Sequence, residues 1–328
     1  MKAGAPATTF ADVPGAERAF TAVDLPLPGR RDGKVRVSYE LPGGRRLLVT
    51  TDRLSAFDRV LAAVRYKGQV LNQLAGWWFS ETADVVANHA LSQPDPNALV
   101  AIDAHPLPVE VVVRGRLTGS TSTSLLRRYR DGERTMYGQR FADGLTAHQE
   151  LATPIVTPTT KAHDGGHDEP IAPPDVVATG LVDAALWDQV MDVALHLFER
   201  GRSVAQAAGL VLADTKYEFG VGPDGNLLLI DEVHTPDSSR FWVAASLDQR
   251  LGRGDEPESL DKEPFRLALG AIGYRGDGPP PALPSAVLEE TERRYIRAYE
   301  LLTGTAFVPG AYPVPTRLRA SLDEAGIL

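Results

Sequence analysis

The stretch Lys216–Val233, KYEFGV-GPDG-NLLLIDEV, constrains this chain more than any other. Gly222-Pro223-Asp224-Gly225 has tight-turn chemistry, and apolar residues rich in strand formers flank it, so the segment reads as an antiparallel hairpin. A turn centred on Asp224 sets Glu218 opposite Ile230 or Asp231, and residues that face each other across such a pair share one side of the sheet. Two carboxylates side by side repel unless a cation lies between them. Glu218 and Asp231 are therefore a candidate Mg²⁺ site with hard oxygen ligands. Two ordinary surface acids on an exposed hairpin face are the plainer alternative, and the residues alone leave both readings open.

The residues that follow, Asp231 to Arg240 (DEVHTPDSSR), gather acids, hydroxyls and an arginine just past a strand, where polar loops often carry chemistry. Arg240 can hold a phosphate or carboxylate bidentately, with Ser238 and Ser239 as neutral donors; a solvated loop with an exposed arginine is the alternative. A second cation group is Arg114-Gly115-Arg116 followed by Thr118-Gly119-Ser120, where a glycine turn, a charge and a hydroxyl resemble a phosphate cradle. Gly33-Lys34-Val35-Arg36 opens a first hairpin and offers two cations to nucleotide phosphates, as glycine-rich loops do in kinases. No Walker A sequence is present. The chain has only six lysines among 34 basic residues; Lys34 and Lys216 fall in these segments, and Lys67 and Lys161 in the stretches KGQVLNQLAGWWF and TPTTKAHDGGHDE. A compact ammonium suits a transferring phosphoryl group.

Around these groups the pattern predicts strands over Gly33–Leu41 and Arg45–Asp52 joined at Pro42-Gly43-Gly44, after an irregular Ala/Pro/Gly-rich lead-in over residues 1–32. It predicts a helix over Leu71–Val86, a buried strand opening Pro108–Ser120, a helix over Val182–Arg200 ending at Gly201, and a last helix over Leu288–Leu302. Ala152–Pro174 reads as a Pro/Thr/Gly-rich functional loop. Within it His163 and His167 are poor metal ligands, because Gly165-Gly166 breaks the helix that would align them, and the HDGGHDE stretch reads as a mobile substrate loop. Trp77, Trp78 and Trp187 sit in helical patterns and read as core. The outline is an α+β chain of two lobes: a β-rich lobe over 1–115 and a larger mixed α/β lobe over 116–328. With 43 acidic against 34 basic residues and a formal charge of −9, the composition argues against a non-specific nucleic-acid binder. The expectation is no nucleic-acid partner, and any anion site must come from local cations. The absence of cysteine excludes a disulfide framework, a thiol nucleophile and Cys-ligated metal. No apolar run reaches the length of a membrane span and no signal-peptide core is visible, so the expectation is a soluble cytoplasmic protein.

The stretches GKVRVSYE, TTDRLSAFD, KGQVLNQLAGWWF, VEVVVRGRLTGS, TPTTKAHDGGHDE, DTKYEFG, DEVHTPDSSRFW and DKEPFR, in this order between Gly33 and Arg266, closely resemble the SAICAR synthetase family. The resemblance implies an ATP-dependent ligase of purine biosynthesis that joins L-aspartate to the carboxylate of CAIR, a carboxylated aminoimidazole ribonucleotide, giving SAICAR, ADP and phosphate. It implies a kinase-like antiparallel small lobe, an ATP-grasp-like larger lobe and an active site between them. Gly33, Lys34, Arg36 and Glu110 are then the ATP contacts, and Glu218 and Asp231 the Mg²⁺ ligands. Arg114, Ser120, Asp237, Arg240 and Arg266 form the nucleotide-substrate set, with arginine and serine groups on phosphate and Asp237 on ribose hydroxyls. Lys161 and Lys216 neutralise the reacting carboxylate and the phosphoryl group, and Asp168 positions aspartate. Departures from the family pattern are Val37 for a usual Asp, Pro170 for Asn and Leu126 for Trp. Two rivals remain in view: a kinase-type phosphotransferase acting on a small phosphorylated alcohol, and a non-catalytic nucleotide sensor.

Overall fold

The structure, a computed structural model, describes residues 10–120, 124–161, 169–276, 278–279 and 281–328. The chain divides into two compact units, neither continuous in sequence. The first takes residues up to 77, 90–103 and 261–328; the second takes 78–89 and 104–260. The boundary expected at 115/116 falls inside a single strand, His105–Arg116, which the valine-rich run Val109–Val113 carries.

In the first unit, β1 (Arg31–Asp32), β2 (Arg36–Leu41) and β3 (Arg45–Thr50) lead into a separate hairpin of β4 (Arg53–Ala56) and β5 (Arg59–Ala63). Helix α1 (Lys67–Glu81) follows, and its last four residues count with the second unit. Strands β6 (Ala90–Asp95) and β7 (Ala98–Ile102) complete an antiparallel sheet of order β1-β2-β3-β7-β6. In β2 the alternation works as read: Val37, Tyr39 and Leu41 are buried with Leu47, Val49 and Val100, and Arg36, Ser38 and Glu40 point away. Val37, where the family pattern has a usual Asp, is thus a core residue. The lead-in is not loose over its described part, since Phe20, Val23 and Leu25 join the same core. A buried carboxylate, Asp52, ties three segments together by accepting from Phe20 N (2.8 Å), Gly68 N at the start of α1 (2.9 Å) and the Tyr312 hydroxyl (2.6 Å). That contact starts α1 four residues earlier than its apolar spacing suggests. The helix stops at Glu81, and the Thr82 hydroxyl then donates to Trp78 O (2.7 Å).

The second unit is built on a sheet of order β13-β12-β8-β14-β15, with β11 added on β8 and β16 on β14. In chain order its elements are β8 (His105–Arg116), α2 (Leu125–Arg130), β9 (Thr135–Met136), β10 (Gln139–Arg140), β11 (Glu150–Val156), β12 (Thr159–Thr160) and β13 (Glu169–Pro170). Then come α3 (Pro173–Ala178), α4 (Ala184–Ala207), β14 (Leu210–Val221), β15 (Leu227–Ile230), β16 (Ser239–Val243) and α5 (Ala244–Gly252). The chain returns to the first unit with α6 (Glu263–Ala271), α7 (Ser285–Thr303) and α8 (Val314–Glu324). The region read as the loop Ala152–Pro174 is therefore partly strand. Its prolines are tolerated because Pro154 falls in the register shift of β11 on β8, Pro158 lies between β11 and β12, and Pro170 is on the edge strand β13. Leu126, where Trp is common, is buried with Leu117, Tyr129 and Ile155.

One sheet face is apolar. Val109, Val111 and Val113 of β8 and Tyr217 and Phe219 of β14 are buried there, and α4 packs on both strands. Trp78 and Trp187 are fully buried as read, whereas Trp77 keeps part of its surface exposed. Gly201 does not end α4, which runs six residues further. A Cβ there would sit 2.5 Å from the His234 ring, so glycine at this position permits close packing rather than termination. Gly201→Ala should lower unfolding free energy by about 2 kcal/mol through overpacking, measurable in a urea titration; an unchanged midpoint would refute the close approach. Among the described residues no helix is long and apolar enough to cross a membrane.

Candidate active site

The other face of the same sheet is charged. Strand side chains alternate, so Glu110, Val112 and Arg114 of β8 and Asp214, Lys216 and Glu218 of β14 share that face. The ladder pairs Asp214 with Arg114, Lys216 with Val112 and Glu218 with Glu110, and on the far side of β14 it pairs Asp214 with Arg240 of β16. Two neighbouring clusters result.

In the first cluster Glu218 binds one lysine on each oxygen. Lys161 Nζ lies 2.6 Å from Oε2, and Lys216 Nζ lies 2.5 Å from Oε1 and 2.8 Å from Glu110 Oε1. Lys161 reaches this point because its N–H donates to Pro108 O at the end of β12, which holds the chain against β8. Burial alone would push the Lys216 ammonium down, but Glu218, Glu110 and Asp231 outweigh it and hold its pKa well above the ordinary lysine value. Burial opposes the charged form of Glu218 as well, yet the two lysines win and keep its carboxyl far below the usual range. The hairpin register is settled at Glu218 opposite Ile230. Asp231 lies one step beyond β15 in a left-handed conformation (φ 68°), near enough to act on Lys216.

In the second cluster two arginines converge on one buried acid. Arg114 Nη1 donates to Asp214 Oδ2 at 3.1 Å, and Arg240 Nη1 donates to the same oxygen at 2.7 Å. Arg114 Nε also donates to the Thr157 hydroxyl (2.9 Å). The Thr118-Gly119-Ser120 turn closes on this pair: a Cβ on Gly119, whose φ is 108°, would lie 3.4 Å from Arg240 Nη2. Ser120 is exposed beside it, and Asp237 is half-buried in a turn whose N–H donates to the Thr235 hydroxyl (3.2 Å). Sequence reasoning missed Asp214. The signal was there in the spacing D-x-K-x-E, which strand geometry puts on one face with both residues already singled out.

His234 was also missed, having been read as part of a polar loop. It is fully buried, with Nε2 3.2 Å from both Leu197 O and the Tyr217 hydroxyl, and its ring centroid is 4.6 Å from that of Trp78. Its φ of 46° and its packing on Gly201 fix the loop that carries Asp231 and Asp237. Of the remaining candidates, Gly33, Lys34, Arg36 and Arg266 belong to the first unit. Gly33 N donates to Arg36 O (2.8 Å) in a tight loop, Lys34 pairs with Asp58 (2.7 Å), Arg36 Nε donates to the Thr50 hydroxyl (3.3 Å), and Arg266 pairs with Glu263 (3.2 Å). Asp168, His163 and His167 lie outside the described residues.

A face with two arginines on a shared carboxylate, beside a lysine–glutamate cluster, concentrates the charged donors that can hold anionic groups. Residues 30–280 match the family model described as SAICAR synthetase. A Mesorhizobium japonicum protein named putative phosphoribosylaminoimidazole-succinocarboxamide synthase 2 is 51% identical over 90% of this chain and 95% of its own. A Legionella pneumophila phosphoribosylaminoimidazole-succinocarboxamide synthase is 46% identical over 92% and 96%. The solved SAICAR synthase of Saccharomyces cerevisiae, complexed with SAICAR, superposes with a TM-score of 0.75 at 33% identity, covering 88% of this chain and 99% of its own. This chain belongs to the SAICAR synthetase family, the ATP-dependent carbon–nitrogen ligases that join aspartate to CAIR in purine biosynthesis.

Desolvation pushes the His234 imidazole down to about 3, so the folded protein keeps it neutral while the unfolded chain takes up a proton near pH 6.5. The stability this residue provides is present above about pH 6.5 and is lost as pH falls toward 3. Wild type should lose about 2 kcal/mol on this account between pH 7 and pH 5, and His234→Gln should lose less over the same interval. Equal pH dependence of unfolding in the two proteins would refute the buried neutral state.

Proposed function

We propose that the charged face of the second unit is where the CAIR carboxylate is activated as an acyl phosphate and handed to the amine of aspartate. A carboxylate is a poor acyl donor because its leaving group would be oxide. Attack of a carboxylate oxygen on the γ-phosphorus, with ADP departing, gives a mixed anhydride. The amine then attacks the acyl carbon, the C–O bond breaks to release phosphate, and the amine proton passes to solvent or to the departing phosphate. This sequence asks the protein for positioning and positive charge rather than for a nucleophile.

Arg114, Arg240 and Ser120 take the substrate phosphate in this reading, and Asp237 takes the ribose hydroxyls. Lys161 and Lys216 lie next to one another on Glu218, and exchange of a carboxylate oxygen for a substrate or phosphoryl oxygen brings both ammoniums onto the reacting groups. That pairing is the observation that carries the proposal. Gly33, Lys34, Arg36 and Glu110 serve ATP, and Arg266 joins the nucleotide-substrate set. Asp168 is assigned to aspartate on the family resemblance alone.

The donor set fits Mg²⁺. Glu110, Glu218 and Asp231 around two ammoniums leave one negative charge over, and their oxygens are hard ligands. Among the described residues no group of three or more His, Asp or Glu is arranged to hold a metal alone. An ion held by one or two carboxylates would complete its shell with phosphate oxygens and water. Glu218 and Asp231 would hold it, and when bound it would offset phosphate charge.

ADP release should require both CAIR and L-aspartate. Full release with aspartate omitted would favour the kinase-type alternative, and none with all three substrates would favour a sensor. Asp231→Asn should lower kcat by about two orders of magnitude and raise the Mg²⁺ concentration needed for half activity. A near-wild-type rate at limiting Mg²⁺ would remove Asp231 from the ligand set.

A further inference from the structure

We propose that Asp214 is a positioning residue for the nucleotide substrate, holding Arg114 and Arg240 at the spacing and orientation in which they receive its phosphate. The inference rests on the reading above that these two arginines bind that phosphate. Asp214 itself touches neither substrate nor reacting atoms; it acts through the guanidinium groups.

The geometry is unusual in its economy of parts. Asp214 stands on the central strand β14, and its ladder partners on the two flanking strands are Arg114 and Arg240, so three strands place Arg, Asp and Arg in one row. Both arginines donate through Nη1 to the same oxygen, Oδ2, and the acid is only 3% exposed. A buried carboxylate on a strand cannot shift much, and neither can the groups bonded to it. Arg114 is held a second time through Nε by Thr157, while the Nη2 end of Arg240 faces the Gly119-Ser120 turn. The row keeps one net positive charge. It therefore attracts an anion, yet the two cations do not repel each other out of position before the anion arrives. Without the carboxylate each guanidinium must be ordered by the ligand itself, and that ordering is taken from binding.

A countercharge with no orienting role predicts the opposite. Removing it would leave two positive charges and tighten the binding of any phosphate. The two roles separate in Asp214→Asn, which keeps the size and loses the charge. If Asp214 orients the pair, KM for CAIR rises by about 10- to 100-fold while kcat stays within about threefold, as for partners that orient first-contact groups elsewhere. KM for ATP and for aspartate should not change, and competitive inhibition by inorganic phosphate should weaken. A lowered CAIR KM, tighter phosphate inhibition, or equal changes in all three KM values would overturn the proposal.

Arg240→Ala, measured in parallel, separates the two layers of the argument. If it leaves the CAIR KM unchanged, the phosphate reading fails and this inference with it. If it raises the CAIR KM and Asp214→Asn does not, the inference alone fails. Adding Asp214→Asn to Arg240→Ala should raise KM by much less than it does in wild type, because residues that act as a unit are not additive; full additivity would again count against the role. Should Asp214→Asn not fold, Thr157→Val loosens Arg114 and leaves every charge in place. A threefold or larger rise in CAIR KM at constant kcat would then support the positioning network, and no change would overturn it.

Discussion

The mutual pairing of charges across β8, β14 and β16 is the constraint on which the second unit depends. Strand geometry divides β14 into an apolar side, where Tyr217 and Phe219 are buried beneath α4, and a polar side carrying Asp214, Lys216 and Glu218. Ionised groups so close to a core are tolerated only when each has partners, because an isolated buried charge costs several kcal/mol. Here every one of them has. Asp214 takes two arginines, Glu218 takes two lysines, and Lys216 bridges to Glu110.

In the proposed function the same pairing also serves anion binding. Opposite charges hold long side chains in defined places, so donors stand where a phosphate or a carboxylate can meet them with little reordering. Arg114 and Arg240 keep donors beyond the one each gives to Asp214, and guanidinium has five. The lysines are more fully committed. In the proposed reaction they exchange a protein carboxylate for substrate oxygens, a change of partner with no change in charge, and the neighbours of Lys216 hold it firmly as the ammonium.

Much of this arrangement is legible along the chain, because hairpins are local. The GPDG turn sets the β14–β15 register to within one residue, and β2–β3 follows from its own alternation and two left-handed glycines. What misleads is long-range packing seen through local rules. Gly201 looks like a helix end, yet the helix continues because a histidine 33 positions later needs the space of its missing side chain. The prolines of residues 152–174 look like a loop, yet Pro154 fits a strand beside β8, Pro170 an edge strand, and Pro173 and Pro174 the start of α3. His234 looks like a polar loop residue until α4 and Trp78 enclose it.

The linear order of residues by itself determined the alternation of β2, β8 and β14, the turns between adjacent strands, the family, and the short runs that hold Arg114, Lys216, Glu218 and Arg240. These depend on neighbours a few positions away, and on backbone preferences that each residue carries with it. Tertiary structure alone decided that β14 lies between β8 and β16, that Arg114 and Arg240 meet on Asp214, and that Lys161 comes to rest on Glu218. Those contacts join residues 26 to 100 positions apart. Only the burial of a common core selects which distant strands pair, and a charge cannot show its partner until that choice is made.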